Sequence, residues 1–325
     1  MVLLLTRNDV VSVLGMKECI GAMENAFSEM ANGTAVLPLR IGMNPPDGVS
    51  LYMPAYLKRM NALACKVVTV YKDNPKKHKL PTTIGKVFLQ NPETGEVICV
   101  MDGGYLTAVR TGAVSGLATK YLARQEDGQI AAIFGAGVQA QMQLWGVCEA
   151  RNVSNAIVYD VMPGAASRFA TEMGKKLGIP VEASEKPEAL LAADIICTAT
   201  TSVHPIFDGT FVKEGTHING IGSHSPGARE LDTAIIKRSL LIADSREACL
   251  HEAGDIMIPI EEGAITAEHI HAELGEIVTG KKLGRTSGKQ ITIFKSNGLA
   301  IQDVAAAKLV YDRAKAKGIG KEAEI

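Results

Sequence analysis

The sequence predicts an α/β protein: a Rossmann-type, doubly wound sheet domain joined to a smaller, discontinuous α+β domain. Three observations carry this. From Gln129 to Asp244 apolar strands alternate with helical or mixed segments, in the order IAAIF, NAIVYD, DIICTAT, HINGIG and SLLIAD, a rhythm that a twisted parallel sheet with helices on both faces accommodates. From Val36 to Met101 the texture is instead short apolar runs separated by turn-rich pieces such as NPPDG, KDNPKK and NPETG, which predicts β structure with hairpins. Where IAAIF ends, GAGVQA opens a helix, and the next apolar strand ends on Asp160.

The remaining elements follow in order. Ile20, Met23, Phe27 and Met30 recur at helical spacing until Asn32-Gly33, so an early helix ends there. The β-rich region holds VSLYMPAY, ALACKVVTVY, IGKVFLQ and EVICVM. Tyr105 to Leu122 returns to helical texture with many small residues and forms the passage into the second domain. After Ala248 come mixed segments, then ITIFK and a final helix from about Leu299 to Lys315 that is expected to return to the first domain. The predicted domains are 1–115 with 299–325, and 116–298.

Composition narrows the function classes. A chain of 325 residues has room for two cores. Lys plus Arg (34) balances Asp plus Glu (35) with no long basic run, so neither nucleic acid nor an anionic membrane is an expected partner. Cys19, Cys65, Cys99, Cys148, Cys197 and Cys249 are scattered, without a CxxC pair, and read as thiols of a reducing compartment. MVLLL is soon followed by Arg7 and Asp9, and no uncharged stretch approaches a membrane span. A soluble, cytoplasmic protein is expected. No metal site is predicted: His269 and His271 would diverge on a helix, and His217 and His251 lack companions at ligand spacing. No serine or cysteine has a local triad context.

The glycine turn carries the first chemical expectation. Gly135 allows a tight turn and Gly137 a close backbone approach to a pyrophosphate, while the helix that follows starts with unpaired N–H groups that attract phosphate. Ala140 stands at the third glycine position. Gly135, Gly137, Val138 and Gln139 would face the pyrophosphate, and Asp160 would accept hydrogen bonds from the adenosine ribose. A carboxylate there repels a 2′-phosphate, which favours NAD over NADP. Thr198, Thr200, Gly220, Ile221 and Gly222 fall at the carboxyl ends of strands, where ligands collect in open α/β sheets. Lys66, in ALACKVVTV, shares a strand face with Ala64 and Val68; it is either at a wet edge or deliberately buried. Arg110, in AVRTGA, is either a solvated helix arginine or a group that small neighbours leave open to a ligand.

YMPAYL, CKVV, LPTT, VMD followed by TAVRTGA, FGAGVQAQ, GTHINGIG followed by SPGARELD, and IFKSNGLAIQDVA occur in order along almost the whole chain. By these motifs the chain resembles the ornithine cyclodeaminase and mu-crystallin family, and looks closest to its archaeal-type alanine dehydrogenase and imine reductase branch. The resemblance implies NAD or NADP as cofactor, small amino acids or their imines as substrates, and a homodimer in which the β-rich domain contributes to the interface. It implies that Lys66 contacts substrate and moves a proton, that Arg110 and Arg40 bind the substrate carboxylate, and that Thr82 is a polar substrate-side residue. It further implies that Arg110 and Thr111 lie near the cofactor, and that Ser296 and Asn297 form a loop near the nicotinamide.

Two departures qualify the substrate. His224 stands where ornithine cyclodeaminase has an aspartate, and Leu51 where the cyclodeaminases have an acid and the alanine dehydrogenase branch a base. A neutral imidazole can move a proton near neutral pH but offers no fixed charge to a second substrate ammonium. The expected function is an NAD-dependent amino acid dehydrogenase or imine reductase, with Lys66 or His224 moving the proton. Alanine, 1-pyrroline-2-carboxylate and iminosuccinate are the substrate types considered. The alternatives are an ornithine cyclodeaminase that releases ammonia with catalytic NAD, and a dinucleotide-binding protein of mu-crystallin type.

Overall fold

The alternation of apolar and polar residues in the first half of the chain builds a mixed sheet. In the computed structural model, which describes residues 1–324, its strands are β1 (Val2–Leu5), β2 (Ala35–Val36), β3 (Ile41–Met43), β4 (Val49–Leu57), β5 (Ala62–Val70), β6 (Thr83–Gln90) and β7 (Val97–Asp102). A last strand, Lys321–Ala323, pairs with β1, which lies parallel to β7; the order then runs β7-β6-β5-β4-β2 through antiparallel pairs, with β3 also on β4. In β5 the even-numbered residues from Ala62 to Val68 are buried and the odd ones half-buried, as period-two patterning requires. The final helix, Ala300–Lys317, packs on β4, β5 and β6 and on the early helix Met16–Ala31. That early helix buries Cys19, Ile20, Met23 and Phe27 and stops where expected, at Asn32, with Gly33 at φ +69°. KDNPKK, read as a turn, contains a four-residue helix, Asn74–Lys77, because a proline suits the first helical turn.

The second half forms an all-parallel, doubly wound sheet. Its strands are β8 (Gln129–Phe134), β9 (Val153–Tyr159), β10 (Val181–Ala183), β11 (Ile195–Thr198), β12 (His217–Gly220), β13 (Ser239–Ala243), β14 (Ile270–Glu273) and β15 (Ile291–Lys295), in the order β10-β9-β8-β11-β12-β15-β13-β14. ITIFK, as β15, is therefore a central strand between β12 and β13. Successive residues of β8 serve opposite faces: Ala131 and Ile133 join a core with the helices Val138–Ala150 and Ala165–Leu177, while Ala132 and Phe134 join a core with Ile235, Ile236 and Ile256. The helix Gly103–Leu122 lets the helix Val138–Ala150 approach at Gly112 and Gly146, where a Cβ on either glycine would come within 2.2 Å of a backbone oxygen.

By contact density the chain comprises two compact units, Met1–Thr111 together with the segment from Leu299 onwards, and Gly112–Gly298. Among the described residues no helix is long and apolar enough to cross a membrane.

Candidate functional site

In the second unit the glycine turn is built by two separate constraints. Gly135 has φ +99°, and a Cβ there would lie 2.7 Å from the Ala199 carbonyl oxygen, so both conformation and space demand glycine. Gly137 caps the helix Val138–Ala150 with no side-chain hydrogen bond and with open space where its Cβ would be. The result is a bare helix N-terminus, the chemistry that suits a pyrophosphate. Asp160 follows β9 and accepts hydrogen bonds from the backbone N–H of Ala136 (2.7 Å) and Met162 (2.8 Å), tying the turn to the end of the neighbouring strand. These residues edge a cleft of about 590 Å³ whose other walls are Tyr159, Val161 and Met162 on one side and Ala199 to Ser202, Pro205 and Ile206 on the other. Val161 is 80% exposed on its rim, an apolar surface that suits a planar base. The geometry thus fits an ADP-type group, with Asp160 as its acidic end.

The strand-end residues are held from behind by buried acids. Thr198, completely buried, gives its hydroxyl hydrogen to Glu230 (2.6 Å); Thr200 donates to Glu230 from its backbone N–H and its hydroxyl (2.6 Å each), and Gly222 from its N–H (2.7 Å). Burial pushes the Glu230 carboxyl above its ordinary range, opposed by the Thr198 and Thr200 hydrogen bonds. Thr200 lines the cleft, whereas the Thr198 hydroxyl is spent inside the protein. The Ile221 N–H donates to the Thr198 carbonyl, and the Gly220 carbonyl accepts from Lys295 (3.3 Å). Ser296 and Asn297 donate to Asp244 at 2.8 Å each. Val138 and Gln139 open the helix after the turn, Val138 exposed. His224 is exposed, with its Nδ1 2.8 Å from the Gly222 carbonyl oxygen.

In the first unit Lys66 is not at a wet edge: it is 2% exposed. Its register partners are Met53 on β4 and Val87 on β6, both buried and apolar. Its Nζ lies 2.7 Å from Asp303 Oδ2, while Arg110 Nε donates to Asp303 Oδ1 at 3.0 Å and Arg110 Nη1 donates to Gln302 Oε1. Asp303 and Gln302 are fully buried in the first turn of the final helix. Burial lowers the Lys66 ammonium to about 8; the Asp303 carboxylate opposes the shift and the Arg110 and Arg40 charges deepen it. Arg40 immediately precedes β3, and the pairing of Gly42 with Leu51 continues to a position beside Met53 on the Lys66 face. Thr82 precedes β6 and its carbonyl accepts from Tyr71; the pairing of Val70 with Thr83 puts Thr83 in line with the Lys66 face. The Thr111 hydroxyl donates to the Thr107 carbonyl at 2.8 Å.

The structure thus gathers Lys66 and Arg110, with the Arg40 charge acting on Lys66, and adds two residues that sequence reasoning gave no role, Gln302 and Asp303. The available signal was in GLAIQDVA: two adjacent polar residues at the start of a helix that otherwise buries both flanks.

A family model described as the ornithine cyclodeaminase/mu-crystallin family matches residues 2–318. The chain belongs to that family. Solved relatives match over nearly the full length. The Δ1-pyrroline-2-carboxylate reductase of Thermococcus litoralis, in complex with NADH and L-proline, is 48% identical and covers 99% of this chain and 100% of its own, with a TM-score of 0.95. An archaeal alanine dehydrogenase dimer with bound NAD is 38% identical over 100% of this chain and 99% of its own, TM-score 0.94. The iminosuccinate reductase of Paracoccus denitrificans, in complex with NAD+, is 29% identical with the same coverage, TM-score 0.93. All three carry a nicotinamide coenzyme, and the substrates in their names are small amino or imino acids.

Proposed function

We propose that the protein is an NAD-dependent oxidoreductase of amino and imino groups, and that its substrate is a small imino acid of the 1-pyrroline-2-carboxylate kind. The observation that carries the reading is the buried Lys66–Asp303–Arg110 cluster, an ammonium adjusted to about 8 beside a guanidinium. NADH, bound through the glycine turn and Asp160, supplies the hydride. Arg110 and Arg40 hold the substrate carboxylate, Arg110 through the planar fork that suits it. Lys66 gives its Nζ proton to the imine nitrogen as hydride would reach the imine carbon, and a proton from solvent restores the ammonium. A donor with this proton affinity is charged at neutral pH and still able to let go.

The rest of the Lys66 face supports an uncharged substrate side chain. Leu51, Met53 and Val87 share the Lys66 face, and the one carboxylate in the cluster is engaged by two cations, leaving no anion for the second ammonium of ornithine. Residues 1–115 with 299–325 act as the substrate and dimerisation domain and 116–298 as the NAD domain. The homodimer reading is supported by β3, whose residues are exposed, and by the exposed apolar side chains of Val36, Leu39, Ile41 and Met43.

NADH oxidation with 1-pyrroline-2-carboxylate, with pyruvate plus ammonia and with iminosuccinate tests the reading, alongside ammonia release from ornithine. The highest kcat/KM is expected for the cyclic imine. Ammonia release from ornithine without net change in NADH would establish a cyclodeaminase instead, and tight NADH binding without turnover of any substrate would establish a binding protein.

A further inference from the structure

Two buried cations on separate elements, Lys66 on β5 and Arg110 on the helix Gly103–Leu122, would repel each other in a medium that screens poorly. Asp303 lies between them, one carboxylate oxygen on each: Oδ2 is 2.7 Å from Lys66 Nζ and Oδ1 3.0 Å from Arg110 Nε. Its place in the first turn of the final helix adds the positive end of the helix dipole, which favours the ionised carboxylate. Gln302, the residue before it, takes another N–H of the same guanidinium with a neutral oxygen. The charged groups that bear on Lys66 are therefore Asp303 from the final helix, Arg110 from the helix Gly103–Leu122 and Arg40 from the segment before β3. Its strand neighbours Met53 and Val87 are apolar.

We propose that Asp303 is a positioning residue of the reaction: its shared carboxylate sets the proton affinity of Lys66 and, with Gln302, fixes the plane of the Arg110 guanidinium. This assignment rests on the reading of Lys66 as the proton donor. A single negative charge between two positive ones is enough to keep Lys66 charged at neutral pH without holding its proton too tightly. Removing that charge leaves a buried ammonium facing only cations. Moving it by one methylene keeps the charge and disturbs the alignment.

Competitive labelling of Lys66 with acetic anhydride across pH, read by peptide mass spectrometry on the full chain without substrate, measures the proton affinity directly. In Asp303→Asn the midpoint is expected to fall at least tenfold in proton affinity below that of the wild type. In Asp303→Glu it is expected to stay, while kcat/KM for the imine falls. Arg110→Gln removes the like charge and should raise the midpoint, which keeps the test decisive if Asp303→Asn does not fold. The alkaline limb of kcat/KM in Asp303→Asn should move with the labelling midpoint. An unmoved midpoint in Asp303→Asn or Arg110→Gln, with kcat/KM lowered equally at every pH, would overturn the assignment and leave Asp303 a structural residue. Because labelling needs no turnover, midpoints that move as expected in an enzyme that reduces no imine would sink the proposed function and leave the Asp303 assignment standing.

Discussion

Lys66 and Lys295 are both buried lysines in apolar strands, both ion-paired to an aspartate on a helix, at 2.7 Å to Asp303 and 3.0 Å to Asp255. Their surroundings differ. Lys295 also donates to the carbonyls of Gly220 (3.3 Å) and Ser223 (2.5 Å). Asp255 in turn accepts from the backbone N–H of Glu230 (2.7 Å) and Leu231 (2.9 Å), and the group ties the ends of β12 and β15 to the segment that carries Glu230. Lys66 shares its carboxylate with Arg110 and feels Arg40 as well. A buried lysine held by two backbone carbonyls as well as a carboxylate holds a fold together. One set among other cations is ready to lose a proton.

The comparison breaks if the wrong lysine carries the wrong property. Lys66→Met should lower kcat/KM for imine reduction by about 10²- to 10⁴-fold, the usual contribution of a positioned proton donor. Its NADH dissociation constant should change little, and the variant should fold, since Asp303 keeps Arg110 as a partner. Steady-state kinetics and fluorescence titration check both. Lys295→Met should do the reverse in kind. It leaves Asp255 buried without its cation, a loss of about 3–5 kcal/mol that urea unfolding would register.

Neither outcome could be read from the two local sequences, and the reason is physical. ACKVV and IFKSN both place a lysine in an apolar run, and local text says nothing of partners that arrive from far along the chain. Lys66 drew a role only through family resemblance, and Lys295 drew none. The parallel sheet was legible because strands covered on both faces must be apolar throughout, and the glycine turn because Gly135 needs φ +99°. The insertion of β15 between β12 and β13 was not, since strand order depends on non-local pairing. Thr198 and Thr200 were legible as strand ends, but Glu230, which receives both hydroxyls, was not.

A pH series sharpens the contrast through stability. Below about pH 8 Lys66 is charged in both folded and unfolded chains, so the penalty of burying its cation is present in full. Between about 8 and the unfolded value of about 10.4 the folded protein releases the proton while the unfolded chain still holds it. Folding stability of the wild type relative to Lys66→Met should therefore rise with pH across that window, by about 3 kcal/mol in total. A flat difference would mean that Lys66 is held like an ordinary structural ammonium.

The smallest expected effect separates binding from proton chemistry. Asp160 belongs to the unit that carries the glycine turn, and its carboxylate both presents a negative charge to the cleft and holds the N–H groups of Ala136 and Met162. Asp160→Ala should weaken NADH by about tenfold, or about 1.4 kcal/mol, through loss of the ribose acceptor and a looser turn. It should also narrow the gap between NADH and NADPH. Asp160→Asn removes the charge while retaining one acceptor oxygen, so NADPH should gain more there than NADH loses. In neither variant should the alkaline limb of kcat at saturating coenzyme move, because the charges that bear on Lys66 are those of Asp303, Arg110 and Arg40. A limb that shifted with Asp160→Asn would show that coenzyme binding and the Lys66 proton are coupled, and the division of labour drawn from the two lysines would fail.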